Sequence, residues 1–335
     1  MNIFKGPKAS KGLPNIGNSV DEFFFNCLLN LHFQCYMNSV LQCLKYCDTF
    51  TAELNKEDAH QGSFLDIFKK VILGQYKSSE QFYFLKELKE SFQTYKKYKK
   101  MSSCQEDANE FLLFVLGKLH KELASGQSLD TAAESSENDN KISTIKSLSS
   151  IIGEFFIGSV TNMVKCMNCN KEEYHSQYFF CLSIPIIKSK NVYFDDCFEH
   201  FVKETETDSS NNVICTECFN YGPVMLKTSI NRYPEFLIIH LQRAVFTTSV
   251  RTCSDKVVCP VVLMIPKSDK EYIEYSLISF INYSGNAKFG HYTSTCRTQE
   301  NQWVHFDDNR SSNCSSIQSD LQRAYILFYK KQHYE

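Results

Sequence analysis

The sequence predicts an α+β fold, with helices in its first part and antiparallel strands in its second. Two observations predict this order. Between residue 35 and about residue 125 the apolar side chains recur at helical spacing, whereas after about residue 151 short β-branched or aromatic runs alternate with turn-forming residues. Of the 335 residues, 43% are hydrophobic and 14% aromatic, which is enough for a sizeable core. The sequence has no internal repeat, so a helical part packed on a β part is expected.

The helical pattern is clearest in two segments, and the first of them begins at Cys35. Apolar residues follow the helical period at Val40, Leu41 and Leu44, and again at Ala108, Phe111, Leu112, Val115 and Leu119. Ser103 and Glu106 form a capping box just before the second segment. Residues 126–150 are rich in Ser, Asn and acidic residues and lack aromatic side chains, so they are predicted to be a disordered surface linker.

The second part of the chain contains five runs that predict β-strands. Each run is short, rich in β-branched or aromatic residues, and bounded by Gly, Asn, Asp or Ser. The runs are Phe236–Leu241, Tyr275–Tyr283, Tyr292–Arg297, Trp303–Phe306 and Tyr325–Tyr329. Their short connections favour antiparallel pairing.

Composition excludes several classes of protein. A net charge of -2 argues against nucleic acid as the main partner, and the basic run Lys96–Lys100 is interpreted as a solvated loop or helix end. No stretch approaches the roughly 18 apolar residues that a membrane span needs, and the first residues lack the apolar core of a secretion signal. With 15 cysteines and no such signal, a reducing compartment is expected, and hence a cytoplasmic or nuclear location.

Cys35 is the candidate nucleophile among these cysteines. Most cysteines in such a chain are small buried hydrophobic residues. That interpretation is given to Cys27, Cys43, Cys47, Cys181, Cys197 and Cys314. Cys35 differs because it stands at the start of a predicted helix, where unpaired backbone amides and the helix dipole favour the attacking thiolate.

His291 is the candidate general base, since it follows Gly290 at the edge of a predicted strand, where the backbone and a substrate can approach closely. His240 lies on an apolar strand and is interpreted as structural. A third group should orient the imidazole; Asp307, at the end of the next strand, is the better placed, and Asp308 is a second candidate. A cysteine and a histidine that are distant in sequence and adjacent in the fold are typical of papain-like hydrolases.

Two Cys-x-x-Cys pairs form a second constellation, Cys166 with Cys169 and Cys215 with Cys218. Each pair sets two thiolates across a tight turn, and two such turns close a tetrahedral Zn²⁺ site. Four cysteine ligands leave no open coordination position, so a bound zinc ion is expected to be structural and not catalytic. The alternative is a chance repetition of the pattern in a cysteine-rich chain.

Seven ordered blocks resemble the ubiquitin-specific proteases, a family of papain-like cysteine deubiquitinases. The blocks are Gly12–Ser19 with Cys35–Leu44, Gln105–Phe111, the two Cys-x-x-Cys pairs, Pro234–Arg243, Gly290–Thr295, Trp303–Asp308 and Ala324–Tyr329. The resemblance implies one catalytic domain over residues 1–335 with a right-hand architecture. A helical thumb (10–125), the linker, and a β palm with zinc-ribbon fingers (151–335) would follow one another. It also implies a monomer that hydrolyses the isopeptide bond after the C-terminal glycine of ubiquitin, acts on ubiquitinated proteins, and holds one structural zinc ion.

The resemblance implies roles for five further residues. Asn15 would be the oxyanion donor, because it falls five residues before the nucleophile when the intervening segment is ignored. Such a donor contributes roughly 3–4 kcal/mol to the lowering of the barrier. Asp107 and Glu110 match positions that meet the basic tail of ubiquitin, with a solvated helix face as the alternative. Gly290 and Tyr292 would line the slot for the last two glycines of the tail.

Residues 20–34 depart from the family's pattern, since they separate Gly12–Ser19 from Cys35. Their removal restores an uninterrupted cysteine block. The segment corresponds to 45 nucleotides, which keeps the reading frame. It begins with Val, whose codons start GT, ends with Gln, which CAG encodes, and is rich in Phe and Leu, as a translated pyrimidine tract would be. We hypothesise a translated short intron, from a gene-model error or a retained-intron isoform; the alternative is a genuine apolar loop beside the active site.

Other functions stay open on the sequence alone. A pseudo-enzyme would bind ubiquitin without cutting it if the segment 20–34 spoils the oxyanion side. A protease for another ubiquitin-like modifier would use the same glycine slot. A zinc-ribbon nucleic-acid binder is disfavoured by the acidic balance. Tyr283 stands where the family commonly has a His, which leaves the fine positioning of the substrate open.

Overall fold

The computed structural model describes residues 27–28, 34–77, 79–97, 106–125, 150–187, 189–207, 212–246, 250–252, 255–267, 271–285 and 290–333. Residues behind several sequence-based predictions lie outside these ranges: Asn15, most of residues 20–34, residues 98–100 of the basic run, Ser103 and residues 126–149 of the linker. Among the described residues, no helix combines the length and the apolar character that a membrane span requires.

Five helices make up the first part of the described chain: α1 (Cys35–Lys45), α2 (Asp48–Lys56), α3 (Phe64–Leu73), α4 (Gln81–Lys97) and α5 (Ala108–Ser125). The ends of α3 follow local rules. Ser63 accepts a hydrogen bond from the backbone amide of Asp66 at its start, and Gly74 ends it in the left-handed conformation with φ of 67°. Helix α1 is the central one, because every residue from Cys35 to Leu44 is buried.

The periodicity prediction for α5 is confirmed, and the prediction of its cap is wrong. All five apolar positions predicted for its buried face are fully buried. The helix begins at Ala108, and the Oδ1 atom of Asp107 accepts the backbone amide of Glu110 at 2.9 Å, so Asp107 is the capping residue. Glu106 pairs instead with Lys96 on α4. The sequence contains two capping patterns in succession, Ser103 with Glu106 and Asp107 with Glu110, and the helix begins at the second.

The palm is an eight-stranded sheet in the order β17-β16-β15-β14-β18-β9-β3, with β13 paired to β14 as well. Its strands are β3 (Leu182–Pro185), β9 (Phe236–Gln242), β13 (Val262–Pro266), β14 (Tyr272–Gly285), β15 (Gly290–Arg297), β16 (Trp303–Asp307), β17 (Arg310–Cys314) and β18 (Ala324–Lys331). The sheet is mainly antiparallel, with one parallel pair between β3 and β9. All five predicted strands are therefore confirmed, each one longer than its run predicts.

The fingers are a second, four-stranded sheet in the order β2-β1-β8-β5, accompanied by a β6–β7 hairpin. These strands are β1 (Gly158–Cys166), β2 (Glu172–Phe179), β5 (Thr205–Glu206), β6 (Val213–Ile214), β7 (Tyr221–Gly222) and β8 (Val224–Arg232). Four short strands complete the set in two small pairs: β4 (Val192–Tyr193) with β12 (Val257–Val258), and β10 (Ala244–Phe246) with β11 (Val250–Thr252). Three short helices interrupt the described residues of the β part: α6 (Ile151–Phe156), α7 (Phe194–Val202) and α8 (Gln318–Leu321).

The core joins the helical part to the palm. Helix α1 packs most closely on β15, the strand that begins next to His291. An aromatic series continues the junction, since the rings of Phe50 and Phe156 lie 4.8 Å apart and those of Phe156 and Phe236 lie 5.5 Å apart. Burial of these rings holds α2, α6 and β9 together. With the packing of α1 on β15, it stabilises the junction between the helical part and the palm.

Candidate active site

Cys35 is the first residue of α1 and is buried, with 5% of its surface exposed. The preceding Gln34 makes no side-chain cap hydrogen bond, and its carbonyl accepts the backbone amide of Asn38 at 2.9 Å. The first turn contains no acidic residue. The position of Cys35 at the start of the helix favours a negative charge there, and the helix's own first turn adds no opposing carboxylate.

His291 lies between the thiol and a carboxylate. Its Nε2 atom is 2.6 Å from Oδ1 of Asp307, which ends the neighbouring strand β16. A hydrogen bond to Cys35 raises the pKa of His291 to about 9, with partial burial opposing the shift and Asp307 adding to it. The three residues that the sequence nominates as nucleophile, base and orienting group thus form one continuous hydrogen-bonded set, as a cysteine hydrolase requires.

Asp308, the second candidate, holds a different partner. Its Oδ1 atom accepts the side-chain amide of Asn38 at 3.0 Å, and its φ of 51° places it in the left-handed region at the turn from β16 to β17. Asn38 is buried on α1, one turn after Cys35. The sequence analysis missed Asn38, although its place three residues after the nucleophile was a usable signal. Adjacent aspartates therefore contact the base and the nucleophile's helix.

The carboxylate of Asp107 accepts hydrogen bonds from groups of the protein itself. Besides capping α5, its Oδ2 atom accepts the hydroxyls of Tyr325 at 2.5 Å and Tyr292 at 3.3 Å. His240 packs edge-on against Tyr325 at 4.7 Å and is 3.1 Å from the Ser183 hydroxyl. Burial lowers the pKa of His240, which agrees with the interpretation of this histidine as structural. Asp107 thus links α5 to two palm strands.

Glu110 is also engaged, but closer to the surface. Its carboxylate lies 2.9 Å from Lys96, which pairs with Glu106 as well. About a third of the Glu110 side chain is exposed (34%), whereas Lys96 is largely covered. Contact of either acidic residue with a substrate tail stays a prediction, and both residues are half-buried.

Gly290 is covered by an aromatic ring. A β-carbon at this position would lie 2.2 Å from ring atoms of Tyr283, so any side chain here would force the ring to move. Tyr292 is 7% exposed and donates its hydroxyl to Asp107, so that part of the side chain points into the protein. The predicted slot residues are thus adjacent to His291, and Tyr283 joins them.

The described part of the segment before Cys35 packs into the core. Leu28 is buried among the apolar side chains of the helical part, with 4% of its surface exposed. The Cys27 carbonyl accepts the side-chain amide of Gln81 on α4 at 3.2 Å. Gln34 is fully buried. These described residues of 20–34 therefore behave as a packed lead-in to α1 and not as an outward bulge.

The four predicted metal ligands come together at the end of the fingers. Their sulfur atoms all lie within 4.8 Å of one another, with Cys166 and Cys218 at 3.8 Å and Cys169 and Cys215 at 3.6 Å. Zn–S bonds of about 2.3 Å in a tetrahedron place sulfur atoms about 3.8 Å apart, so the donor set fits zinc. The two turns are alike, because the residue after each pair, Asn170 or Phe219, has a positive φ.

A sequence model described as "Ubiquitin carboxyl-terminal hydrolase" matches residues 27–329, which include α1, the four-cysteine cluster and the His291–Asp307 pair. The chain belongs to the ubiquitin carboxyl-terminal hydrolase family. The match begins eight residues before Cys35, inside the segment 20–34, and so aligns the family's pattern with the residues that directly precede the nucleophile.

Curated relatives agree with this membership. The chain is 28% identical over 96% of its length to ubiquitin carboxyl-terminal hydrolase Usp2 of Drosophila melanogaster, and 29% identical over 97% to ubiquitin carboxyl-terminal hydrolase 2 of Homo sapiens. It is 31% identical over 68% of its length to ubiquitin carboxyl-terminal hydrolase 21 of Rattus norvegicus. The chain spans 34%, 56% and 46% of the lengths of these three relatives, respectively.

Solved structures agree on the fold. A SAGA DUB module with Ubp8, Sgf11, Sus1 and Sgf73 bound to monoubiquitin contains a chain that matches with a TM-score of 0.73 and 22% identity. The match covers 92% of this chain and 69% of that one. A yeast SAGA DUB module gives a TM-score of 0.74 at the same identity and coverage. The thumb, palm and fingers are therefore the fold of a ubiquitin-hydrolase catalytic domain.

Proposed function

We propose that this chain is a thiol-dependent deubiquitinase that hydrolyses the isopeptide bond after the C-terminal glycine of ubiquitin. The observation that carries the proposal is the position of His291, which hydrogen-bonds both Cys35 and Asp307 in a member of this family. His291, Asp307 and Asp308 could also hold a metal ion, but the 2.6 Å hydrogen bond already uses the imidazole and carboxylate atoms that would bind it.

The reaction takes two steps. The Cys35 sulfur attacks the carbonyl carbon of the terminal glycine, and the C–N bond breaks as the His291 proton passes to the departing lysine amine. Water then attacks the thioester while His291 accepts its proton, and the ubiquitin carboxylate and the free thiol are released. Asp307 holds the imidazole in place and stabilises its charged form in both steps.

The oxyanion donor is a choice between two asparagines, both outside the described residues. Asn15 takes the role only when residues 20–34 are ignored, whereas Asn30 lies five residues before Cys35 in the chain as written. The family match that begins at residue 27 and the burial of Leu28 support Asn30, because they favour residues 27–34 as the lead-in. The intron hypothesis supports Asn15, in a shorter chain.

Three variants separate these alternatives. Alanine at the true donor position should lower kcat by a hundredfold or more and leave KM little changed, because a lost donor costs roughly 3–4 kcal/mol of barrier lowering. We expect this of Asn30→Ala in the chain as written and not of Asn15→Ala. The chain without residues 20–34 has no Asn30, and in that chain Asn15→Ala should cause this loss if the shortened chain is the native form. An inactive full-length chain beside an active shortened one would favour the intron and a ubiquitin-binding, non-cleaving role for the longer form.

We further propose that the four-cysteine cluster holds one structural Zn²⁺. The sulfur separations support this assignment, as does the absence of an open position for substrate in a four-cysteine site. The ion would tie the β1–β2 turn to the β6–β7 hairpin, two segments that are otherwise short and exposed. The ion would stabilise the fold of the fingers and take no part in catalysis.

Location and oligomeric state are proposals too. All cysteines of the described residues are free thiols, which supports a cytoplasmic or nuclear location. We propose a monomer that recognises ubiquitin and ubiquitinated proteins. Sedimentation of the purified chain and fractionation of cells that express it would test the two statements.

Hydrolysis of isopeptide-linked diubiquitin tests the function directly. Monoubiquitin should appear with the parent chain and not with Cys35→Ala or His291→Ala. The same assay with another ubiquitin-like modifier joined to a lysine reports on the alternative substrate class. Cleavage of that conjugate alone would overturn ubiquitin as the substrate. Ubiquitin binding without cleavage by any form of the chain would assign a pseudo-enzyme.

A further inference from the structure

Tyr283 occupies a position beside the catalytic histidine that no catalytic step uses. It lies on β14 directly opposite Tyr292 on β15, and the next pair in the register is Ser284 with His291. The pair after that joins Gly285 to Gly290, where the two strands end. Directly paired residues on antiparallel strands point to the same face, so Tyr283 and Tyr292 share one face with Gly290, two residues before Tyr292.

The Tyr283 ring lies across Gly290. Two ring carbons and the hydroxyl oxygen are each 2.2 Å from the point where a β-carbon of Gly290 would stand. This separation is much shorter than a van der Waals contact, so the ring occupies the space that a side chain at position 290 would need. The ring therefore covers the backbone immediately before His291.

The ring is held by packing on its other side. Its centroid is 4.7 Å from that of Tyr292 and 6.3 Å from that of Tyr325, and these two rings are 5.8 Å apart. We name Tyr283, Tyr292 and Tyr325 the tyrosine wall. Asp107 accepts the hydroxyls of the last two, which fixes them to the start of α5. A ring packed against two anchored rings has less freedom to move than an exposed ring has.

Among the three rings, Tyr283 is the one whose pKa responds to the nucleophile. Burial raises the pKa of Tyr283, and the charges of Asp107 and Cys35 add to the effect, so the hydroxyl lies within electrostatic reach of both groups. The substrate carbonyl must reach Cys35 beside His291, and His291 follows Gly290 directly. A substrate whose last residues run along the backbone of Gly290 would pass the ring that covers it.

We propose that Tyr283 determines specificity for glycine at the end of the substrate tail. Its ring narrows the channel beside Gly290, so that a side chain on the residue whose carbonyl is attacked meets an anchored aromatic surface. Glycine would then be preferred because a larger terminal residue clashes sterically with the Tyr283 ring. The inference rests on the proposed function and names a residue that deepens it.

The test compares two substrates and three variants. The substrates are fluorogenic ubiquitin amides that end in glycine or in alanine. The parent chain should prefer glycine by about a hundredfold in kcat/KM, as expected for a methyl group in a tight site. Tyr283→Ala should reduce this preference at least about tenfold, whereas Tyr283→Phe should keep it because the ring stays. Tyr83→Ala, at an exposed tyrosine on α4, is the matched control and should change nothing.

A paired substitution makes the steric claim sharper. Gly290→Ala should lower activity on the glycine substrate, since its β-carbon meets the ring, and adding Tyr283→Ala should recover part of the loss. Thermal unfolding of each variant identifies a folding defect. If Tyr283→Ala does not fold, Tyr283→His replaces it, with a smaller ring and a partial loss of preference.

Results that contradict the role of Tyr283 differ from results that contradict the proposed deubiquitinase function. An unchanged glycine preference in a folded Tyr283→Ala or Tyr283→His, or no recovery in the double variant, would overturn the role of Tyr283. Failure of the parent chain to cleave the glycine substrate would contradict the proposed function itself.

Discussion

The side-chain amide of Asn38 donates a hydrogen bond of 3.0 Å to Asp308, and this bond ties the nucleophile's helix to the strand that orients the base. Asn38 lies one turn after Cys35 on α1, and Asp308 directly follows Asp307. The separation of Cys35 from His291 therefore depends on a contact made by neither residue. Of the two adjacent aspartates, Asp307 contacts His291, and Asp308 contacts the helix that carries Cys35.

Identical substitutions at these two aspartates should have different effects. Asp308→Asn keeps an oxygen that can accept from Asn38 and tolerates the positive φ, so activity should stay within a few-fold of the parent. Asp307→Asn removes the charge that supports the imidazolium and should lower kcat by roughly a hundredfold or more. Steady-state kinetics on a ubiquitin amide measures both.

Asp308→Ala adds the complementary test. Loss of the Asn38 contact should lower kcat by about tenfold to a hundredfold with little change in KM, since a shift of about 1 Å between nucleophile and base is enough. Equal kinetics for Asp308→Ala and Asp308→Asn would show that Asn38 does not position Cys35 through this bond.

The alkaline limb of the pH–activity profile should report His291. Its pKa is raised to about 9, first by the hydrogen bond with Cys35, so the imidazole keeps its proton through neutral pH and loses it as the pH rises through about 9. The leaving amine needs that proton, so kcat/KM should fall above this pH. In Asp307→Asn one cause of the raised pKa is gone, and the limb should move to lower pH. An unmoved limb would assign it to another group.

Alanine substitutions at Asp107 and Glu110 should show which residue stabilises the fold and which contacts the substrate. Asp107→Ala removes a helix cap and leaves the hydroxyls of Tyr292 and Tyr325 without their acceptor, so the free energy of unfolding should fall by about 2–4 kcal/mol. Glu110→Ala breaks a partly exposed ion pair and should cost at most about 1 kcal/mol. Denaturant unfolding measures both values. A several-fold rise in KM for Glu110→Ala alone would support its contact with the ubiquitin tail.

Metal analysis should find one zinc ion per chain. Cys218→Ser should lose the ion and lower the unfolding midpoint by roughly 5 °C or more, because the fingers lose their link between two turns. Cys314→Ser is the matched control, since this thiol on β17 is outside the cluster, and it should keep the metal. Equal zinc content in the two variants would contradict the four-cysteine site.

The sequence predicted the catalytic set because chemistry restricts which residues can form it. A cysteine at a helix start, a histidine at a strand edge and a following aspartate are recognisable from order and local context, and Cys35, His291 and Asp307 meet as expected. The palm strands were predictable because each contains a run of β-branched or aromatic residues bounded by turn-forming residues.

The contacts that position this set were not predictable. Asn38 meets Asp308, and Asp107 meets Tyr325, across long stretches of chain, and such pairings depend on the packed fold. Tyr283 was visible only as a departure from a family pattern, because the sequence does not show that its ring covers Gly290. The start of α5 was misplaced for a local reason, because the Ser103–Glu106 pattern that was predicted as its cap is followed at once by an equivalent Asp107–Glu110 pattern.

Labelling with a ubiquitin whose C-terminus carries an electrophile tests the central claim most directly. The chain as written, the chain without residues 20–34, and a Cys35→Ala version of each would be treated, and the adduct mapped by peptide mass spectrometry. We expect an adduct on Cys35 in at least one of the first two and in neither alanine variant. An adduct on another cysteine, or none on any form, would contradict the assignment of Cys35 as the nucleophile of a deubiquitinase.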